Sequence, residues 1–371
     1  MKNDKQHITV ILSCLLLFCF TSCKIATENE TTDKLVIAVW NAQAMFDGND
    51  DGTEFAEYRF SAGWSDEKYR ARLQSLASAV EKMHERSPDI LGLVEIENER
   101  VLEDLVKGHL TNQAYRWTFF GKNPEASFGI GLLSRFPLET AFVHSVTMNG
   151  ETTPRPVLEA RITIQEHVFV FFVCHWKSKL GGERETDALR RASAGIVVRR
   201  VRELREKEPD VHIIVMGDLN ENHDEFFRRG KRQISALVPD DPIAVIHAGS
   251  QKDFLVVSPA IPQIHSIPPL AKYFPEDTVI FYSPWNRETE EEEGSYNYRG
   301  NWESIDHFLL SPSLFTQSGW AFESFSVVNH EPFSNKDGHP YSYNPRTGNG
   351  LSDHFPLLLS LAYSSVQQAK Y

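Results

Sequence analysis

Six short stretches of this chain set polar side chains beside apolar runs. Asn41 follows Leu35–Trp40, Glu95 follows Ile90–Val94, and His175 follows Val168–Cys174. Asp218 and Asn220 stand in Met216-Gly217-Asp218-Leu219-Asn220, Asp306 lies next to His307, and Asp353 next to His354 in Leu351-Ser352-Asp353-His354-Phe355. Ends of buried strands are where a core opens to solvent. Carboxylates, amides and imidazoles presented there are the set that metal-assisted phosphoester cleavage uses.

Glu95, Asp218, Asp306 and Asp353 share a physical difficulty, because an isolated buried carboxylate is costly unless it is paired or bound to metal. A hard cation resolves it. Carboxylate and amide oxygens, completed by water, suit Mg²⁺ at a phosphate, with Mn²⁺ or Ca²⁺ as substitutes. The His/Cys spacing of a structural zinc site is absent. Hydrolysis further needs a proton acceptor. His354 is the expected general base, since imidazole titrates near neutrality, and Asp306 is the expected partner that sets its tautomer and orientation. His175 and Asn220 are expected to hydrogen-bond a phosphate oxygen, and Asp218 to orient or deprotonate water.

The ordered strings WNAQAMFD, ILGLVEIEN, CHWKSK, MGDLNE, SIDHFLLS and LSDHFPL resemble the endonuclease/exonuclease/phosphatase superfamily, from Lys34 to Leu361. The resemblance implies metal ligation by Asn41 and Glu95 with Asp353 nearby, and a catalytic His354 supported by Asp306. It also implies Asp218 and Asn220 at the scissile phosphate, with His175 as a second catalytic histidine. Gln43 stands where many members carry an acid, which argues against a second metal site. Glu97 is expected on the opposite face from Glu95, leaving Glu95 as the ligand. Arg155 and Lys177 are expected to contact substrate. Lys179 is a weaker candidate, and Gly181-Gly182 would admit backbone close to a phosphate.

These residues need a scaffold that brings strand ends together. Lys34–Trp40 and Asp89–Val94 read as buried strands, and Asp66–Glu85 carries Tyr69, Leu73, Leu76, Val80 and Met83 at helical spacing before Pro88. A short helix is expected over Glu99–Leu110. Five strand-like runs between Trp117 and Cys174 suggest an antiparallel meander, Arg184–Glu208 a long charged helix, Val211–Met216 an apolar strand, and Leu351–Leu361 a closing core strand. Helices alternating with strands at both ends predict a four-layer α/β sandwich, two packed mixed β-sheets flanked by helices.

Composition narrows the function. With 41% hydrophobic and 24% charged residues the chain can bury a large core. Its net charge of −13 argues against a broad basic face for nucleic acid. A local cationic groove and a bound cation are not excluded by that count. Residues 1–22 read as a lipoprotein signal peptide, with Lys2 and Lys5, an apolar stretch from Ile8 to Phe20, and Cys23 as the lipid-anchored residue. Residues 23–33 would form a polar tether, 34–363 the catalytic domain and 364–371 a tail. The protein is thus expected to be exported, anchored to the bacterial cell envelope or surface, and monomeric. The mature body keeps one cysteine, Cys174, read as a buried apolar residue, so no internal disulfide is available.

Several features read as structural. Asp47, Asn49, Asp51 and Gly52 begin like a calcium loop but meet Tyr58 at the twelfth position. An acidic turn is preferred. The acidic run Glu288–Glu293 reads as a solvated loop, His307 as pointing away from the cleft, and His84, His109, His212 and His247 as structural. Trp285, Tyr296, Tyr298 and Trp302 could stack bases, with loop packing the preferred use. The expected activity is divalent-metal-dependent phosphodiester hydrolysis, by a nuclease acting on DNA or RNA. A lipid-headgroup or sugar-phosphate phosphoesterase, or a non-catalytic surface lipoprotein, are the alternatives.

Overall fold

Alternation along one strand explains the layering. In β1 (Lys34–Met45), Leu35, Ile37 and Val39 enter one hydrophobic core while Val36, Ala38 and Trp40 enter another. Successive side chains of a strand point to opposite faces, so a strand apolar on both must be covered on both. Each fully buried aliphatic or aromatic side chain contributes about 1.5–3 kcal/mol. The computed structural model describes residues 33–124, 126–249, 251, 253–259, 278–285, 294–316 and 318–365.

In chain order, β1 leads to α1 (Asp66–Lys82), β2 (Ile90–Ile96), α2 (Glu99–Asp104), β3 (Trp117–Gly121), β4 (Gly129–Ser134) and β5 (Leu138–His144). Then come the short β6 (Thr147–Met148) and β7 (Glu151–Thr152), followed by β8 (Val157–Ile164), β9 (His167–His175), α3 (Glu183–Lys207) and β10 (His212–Asp218). Next are α4 (Glu225–Arg228), β11 (Leu237–Pro239), α5 (Pro242–Ala248), β12 (Leu255–Ser258) and β13 (Ile280–Tyr282). The chain ends with β14 (Tyr296–Tyr298), β15 (Asn301–Glu303), β16 (Asp306–Leu310), β17 (Gly319–Val327) and β18 (Leu357–Ser364).

One sheet has six strands in the order β17-β18-β1-β2-β4-β3, and the other eight in the order β11-β12-β13-β16-β10-β9-β8-β5. Their facing sides form a single core from Ile37, Val39, Val94, Phe171, Val173, Ile214, Met216, Phe308 and Leu359. Outside the first sheet, α1 lays down Tyr69, Leu73, Leu76 and Val80. Outside the second, α3 covers Phe172, Cys174, Ile213 and Val215 with Ala194, Val197 and Val201. The architecture is the four-layer α/β sandwich. Ser65 starts α1 by accepting the Lys68 N–H at 3.3 Å. Asp66 and Glu67 complement the positive end of the helix.

The structure corrects the expected organisation in three places. The five strands between Trp117 and Cys174 do not form one meander: β3 and β4 join the first sheet, while β5, β8 and β9 join the second. The passage between sheets lies at Arg135-Phe136-Pro137, where Arg135 is held by Asp89 at 2.9 Å. The last strand starts at Leu357, and residues 351–356 form a loop. The helical segment after Asn98 ends its α turn at Asp104 and closes with a π turn over Leu105–His109. Cys174 is buried, and burial pushes its thiol up to about 12, which keeps it unreactive. Residues 1–32, with the expected signal peptide and Cys23, and the acidic run 288–293 lie outside the described residues, as do 366–371 of the expected tail.

Candidate active site

Three site residues lie side by side in the second sheet. Asp218 pairs with His175 across the parallel β9–β10 ladder and with Asp306 across the antiparallel β10–β16 ladder. Each continues the inward-facing row of its strand: Phe171 and Val173 before His175, Ile214 and Met216 before Asp218, Phe308 and Leu310 after Asp306. The apolar seam between the sheets therefore turns polar at one end. His307, one residue out of phase, faces away and meets the Glu221 carbonyl at 2.7 Å.

Gly217 makes this row possible. Its φ is +135°, and a Cβ there would lie 1.9 Å from the Cys174 carbonyl oxygen. Beyond it, the Asp218 Oδ1 accepts the backbone N–H of Asn220 at 2.9 Å, and Asn220, at φ +53°, donates its side-chain amide to the Trp176 carbonyl at 3.1 Å. That bond ties the loop after β10 to the loop after β9.

Asn41 and Glu95 reach the cleft from the first sheet. Asn41 keeps the inward phase of Leu35, Ile37 and Val39, and its amide donates to Glu95 Oε1 at 3.3 Å and Asp218 Oδ2 at 3.1 Å. Glu95 arrives by a different route. In β2, Ile90 and Val94 face the seam and Leu91 and Leu93 the helices, so regular alternation would turn both Glu95 and Glu97 outward. Instead the register slips between Val94 and Ile96, with Glu95 at φ +62°, and Ile96 takes the outward position. The expectation that alternation separates Glu95 from Glu97 is thus corrected. Residues two apart in a regular strand share a face, and the bulge separates these two. Glu97 lies beyond the strand end, where its Oε2 accepts the Asp47 N–H at 2.6 Å and burial pushes its carboxyl up to about 8.

A matching irregularity in β1 supports the site. Gln43 and Ala44 have φ of +48° and +52°, which lets the Ala44 N–H donate to Glu95 Oε2 at 2.7 Å. The buried Arg72 of α1 holds the bend: it donates to the carbonyls of Ala42 at 2.9 Å and Ala44 at 2.7 Å, also to that of Gln43, and lies 3.8 Å over the Tyr343 ring. The Gln43 side chain turns to the same loop, accepting from the Tyr343 N–H at 2.7 Å and Ser342 Oγ at 3.1 Å.

His354 closes the arrangement. Its Nδ1 lies 2.7 Å from Asp306 Oδ2, which also accepts Ser295 Oγ at 2.6 Å. Ser352 accepts the His354 N–H at 3.1 Å and donates to the Asn41 carbonyl at 2.6 Å, and Trp40 Nε1 donates to the His354 carbonyl at 2.9 Å. Asp353 Oδ1 is 4.0 Å from His354 Nε2. His175 Nε2 stands 3.6 Å from both Glu95 Oε1 and Asp218 Oδ2.

The cleft is unbalanced in charge. Burial pushes the Asp218 carboxyl up to about 7, with neighbouring Asp306 adding to it. Burial disfavours the imidazolium of His354, yet Asp306, Asp353 and Asp218 outweigh it and hold the group well above its ordinary value. Burial, with Arg155 adding to it, holds His175 well below, so His175 is neutral. Excess negative charge among oxygen donors is the setting a divalent cation offsets. Among the described residues, Asp218, Asp306 and His354 bring possible ligand atoms within 4.8 Å of one another, as do Asp51, Glu54 and Glu97 outside this row. Asp306 and His354 bond each other, Asn41 Oδ1 accepts the Gln43 N–H at 2.9 Å, and the two Glu95 oxygens accept from Asn41 and Ala44.

The expected cationic residues separate. Arg155 donates to the Trp176 carbonyl and feels Glu95 and Asp218. Lys177 folds onto its own loop, donating to the carbonyls of Ser178 at 3.3 Å and Leu180 at 3.1 Å. Lys179 is engaged with Glu225 at 2.9 Å and Glu303 at 3.2 Å, which makes it a brace. Trp285 is core and donates to the Asp306 carbonyl at 2.9 Å, and Trp302 packs 6.0 Å from Phe355. In the calcium-like segment, Asp47 Oδ1 accepts the Asn49 N–H at 2.6 Å and Glu54 accepts the amides of Asp51 and Gly52 at 2.7 and 2.8 Å.

Sequence reasoning missed Arg72 and the buried pair Arg190–Glu221. Arg190 Nε meets Glu221 Oε1 at 2.8 Å and its NH1 donates to the Lys177 carbonyl at 3.1 Å, joining α3 to the loops after β9 and β10. An arginine on the apolar face of an amphipathic helix is the signal that marks both.

A family model described as endonuclease/exonuclease/phosphatase family matches residues 36–231, more than half of the chain. No curated protein matches the sequence significantly. Among solved structures, truncated Caenorhabditis elegans TDP2 is similar with a TM-score of 0.52 at 15% identity, covering 89% of this chain and 97% of that one. D. rerio TDP2 humanized by 14 mutations gives 0.51 at 14% identity, covering 89% and 99%. At such identities these two show a shared fold. The family match and the converging site together place this chain in the endonuclease/exonuclease/phosphatase family, as a metal-dependent phosphoesterase.

Proposed function

We propose that the protein is a nuclease that hydrolyses phosphodiesters of DNA or RNA outside the cytoplasm. The observation that carries the chemistry is the in-register row His175–Asp218–Asp306, with His354 seated on Asp306 and with Asn41 and Glu95 facing it from the other sheet. Asn41, Glu95 and Asp353 would hold Mg²⁺, or Mn²⁺ or Ca²⁺ on the same donors. The bound cation supplies positive charge to the phosphate oxygens as negative charge develops on them.

With a divalent cation offsetting the carboxylates that raise it, His354 would be neutral and would take the proton of the attacking water at Nε2, while Asp306 fixes the Nδ1–H tautomer and stabilises the imidazolium that forms. Neutral His175, with a proton on Nε2, and the Asn220 amide donate to a phosphate oxygen. Asp218 orients the water. Arg155 and Lys177 border the same loops and favour an anionic substrate. At the other side, the Tyr296 ring lies 4.7 Å from that of His354, an aromatic neighbour that suits a nucleotide. Residues 1–22 and Cys23 support export and lipid anchoring, and the protein would act as a monomer. A lipid-headgroup or sugar-phosphate substrate is the second reading, favoured by the net charge of −13.

The test offers purified protein and Mg²⁺ to plasmid DNA, RNA, sphingomyelin and inositol phosphates, with His354→Ala as control. Cleavage of nucleic acid that disappears in the variant is expected. Hydrolysis confined to lipid or inositol phosphate would replace the nuclease reading. Glu95→Gln should weaken Mg²⁺ binding in calorimetric titration without unfolding the chain.

A further inference from the structure

The hairpin β14–β15 is built onto the catalytic pair. Tyr296 forms an isolated bridge with His354, and Ser295 donates to Asp306 Oδ2 at 2.6 Å and accepts the Phe355 N–H on its carbonyl at 2.8 Å. On the return strand Glu303 is held by Lys179 at 3.2 Å. From this fixed base Tyr296 and Tyr298 rise on one face of the strand, as residues two apart must. Their rings are 12° from parallel with centroids 6.4 Å apart, and the inner ring leans on His354. Tyr298 is 48% exposed.

The turn adds a cation. Arg299 sits at φ +53° ahead of Gly300. Asn, Asp or Gly is ordinary at such a position. The Arg299 guanidinium lies 5.1 Å from the Tyr298 ring centre, and among the described residues it meets no carboxylate. An exposed aromatic ladder ending in an arginine, and starting at the general base, has the parts that recognise unstacked nucleotides: π faces for bases and a cation for the backbone.

We propose that Tyr296, Tyr298 and Arg299 form a base-stacking platform leading away from the scissile phosphate, which selects single-stranded nucleic acid. The proposal rests on the nuclease reading. Bases inside a duplex present no free face, so the platform engages only unpaired strands or frayed ends.

The test compares kcat/KM for single-stranded oligothymidylate with that for an abasic deoxyribose-phosphate strand of equal length, in wild type, Tyr298→Phe and Tyr298→Ala. Stacking on one ring predicts that wild type prefers the base-bearing strand by roughly ten-fold, carried in KM. Tyr298→Phe keeps that preference, and in Tyr298→Ala it falls toward unity. An unchanged preference in Tyr298→Ala, with oligothymidylate still cut by wild type, overturns the platform and leaves the nuclease standing. Wild-type protein that leaves oligothymidylate intact while hydrolysing sphingomyelin vesicles ends the nuclease reading, and the platform with it.

Discussion

Replacing Arg72 with lysine separates support of the site from support of the fold. The guanidinium contacts three consecutive carbonyls, Ala42, Gln43 and Ala44, as well as Tyr58 Oη at 3.1 Å. A lysine ammonium is a point donor that keeps the charge but cannot span these groups, so at least two buried carbonyls lose their partner. At about 1–3 kcal/mol per unsatisfied group, Arg72→Lys should cost roughly 2–6 kcal/mol. That is a large part of a typical native stability of about 5–15 kcal/mol. At roughly 2–4 °C per kcal/mol for a domain of about this size, the midpoint should fall by roughly 5–20 °C in thermal unfolding. The same bend aims the Ala44 N–H at Glu95. Mg²⁺ affinity in calorimetry below the transition should therefore fall by about 10–100-fold, the usual cost of losing a ligand's supporting partner. A destabilised Arg72→Lys protein that binds Mg²⁺ as tightly as wild type would refute the link between the bend and the metal site.

Other contacts yield three further expectations. Asp306→Asn should keep the fold and lower kcat by roughly 10²–10⁴-fold, since His354 loses the acceptor that orients it; a variant within a few-fold of wild type in steady-state assay would remove the pair from the mechanism. Gly217→Ala should prevent stable folding, seen as loss of a cooperative transition by circular dichroism, because its Cβ has only 1.9 Å to the Cys174 oxygen. Burial raises Glu159, but Arg200 and His144 outweigh it and depress the carboxyl to about 2. A depressed acid stabilises the fold above its unfolded value of about 4.5 and loses that contribution as pH falls toward about 2. The denaturant midpoints of wild type and Glu159→Gln should therefore differ at about pH 7 and converge as pH approaches about 2; a constant gap would show that the ion pairs do not contribute.

Much of the site was legible because strand periodicity and polar endings coincide. His175, Asp218 and Asn41 each follow an apolar run in phase with its inward row, so they stand where the core opens. Arg72 and Arg190 carried one faint signal, an arginine on the apolar face of a helix, which names no partner until the carbonyls and the carboxylate they serve are known. Lys179 shows the converse. Its position in His175-Trp176-Lys177-Ser178-Lys179 suggests phosphate contact, whereas Glu225 and Glu303 engage it.

By itself, the order of apolar runs determined the layers, the strands that lie buried on both faces and the chemical types at their ends, because burial and period-two geometry are local consequences of residue type. Tertiary structure alone decided which sheet each middle strand joined, since pairing of the runs from Trp117 to Cys174 depends on distant partners. It also decided that Glu95 enters the cleft while Glu97 does not. The bulge sets Glu95 at φ +62°, and Asn41, Ala44 and the Arg72-held bend of β1 all hold it there. Such a conformation is costly for a glutamate in isolation and persists only where the surroundings over-determine it.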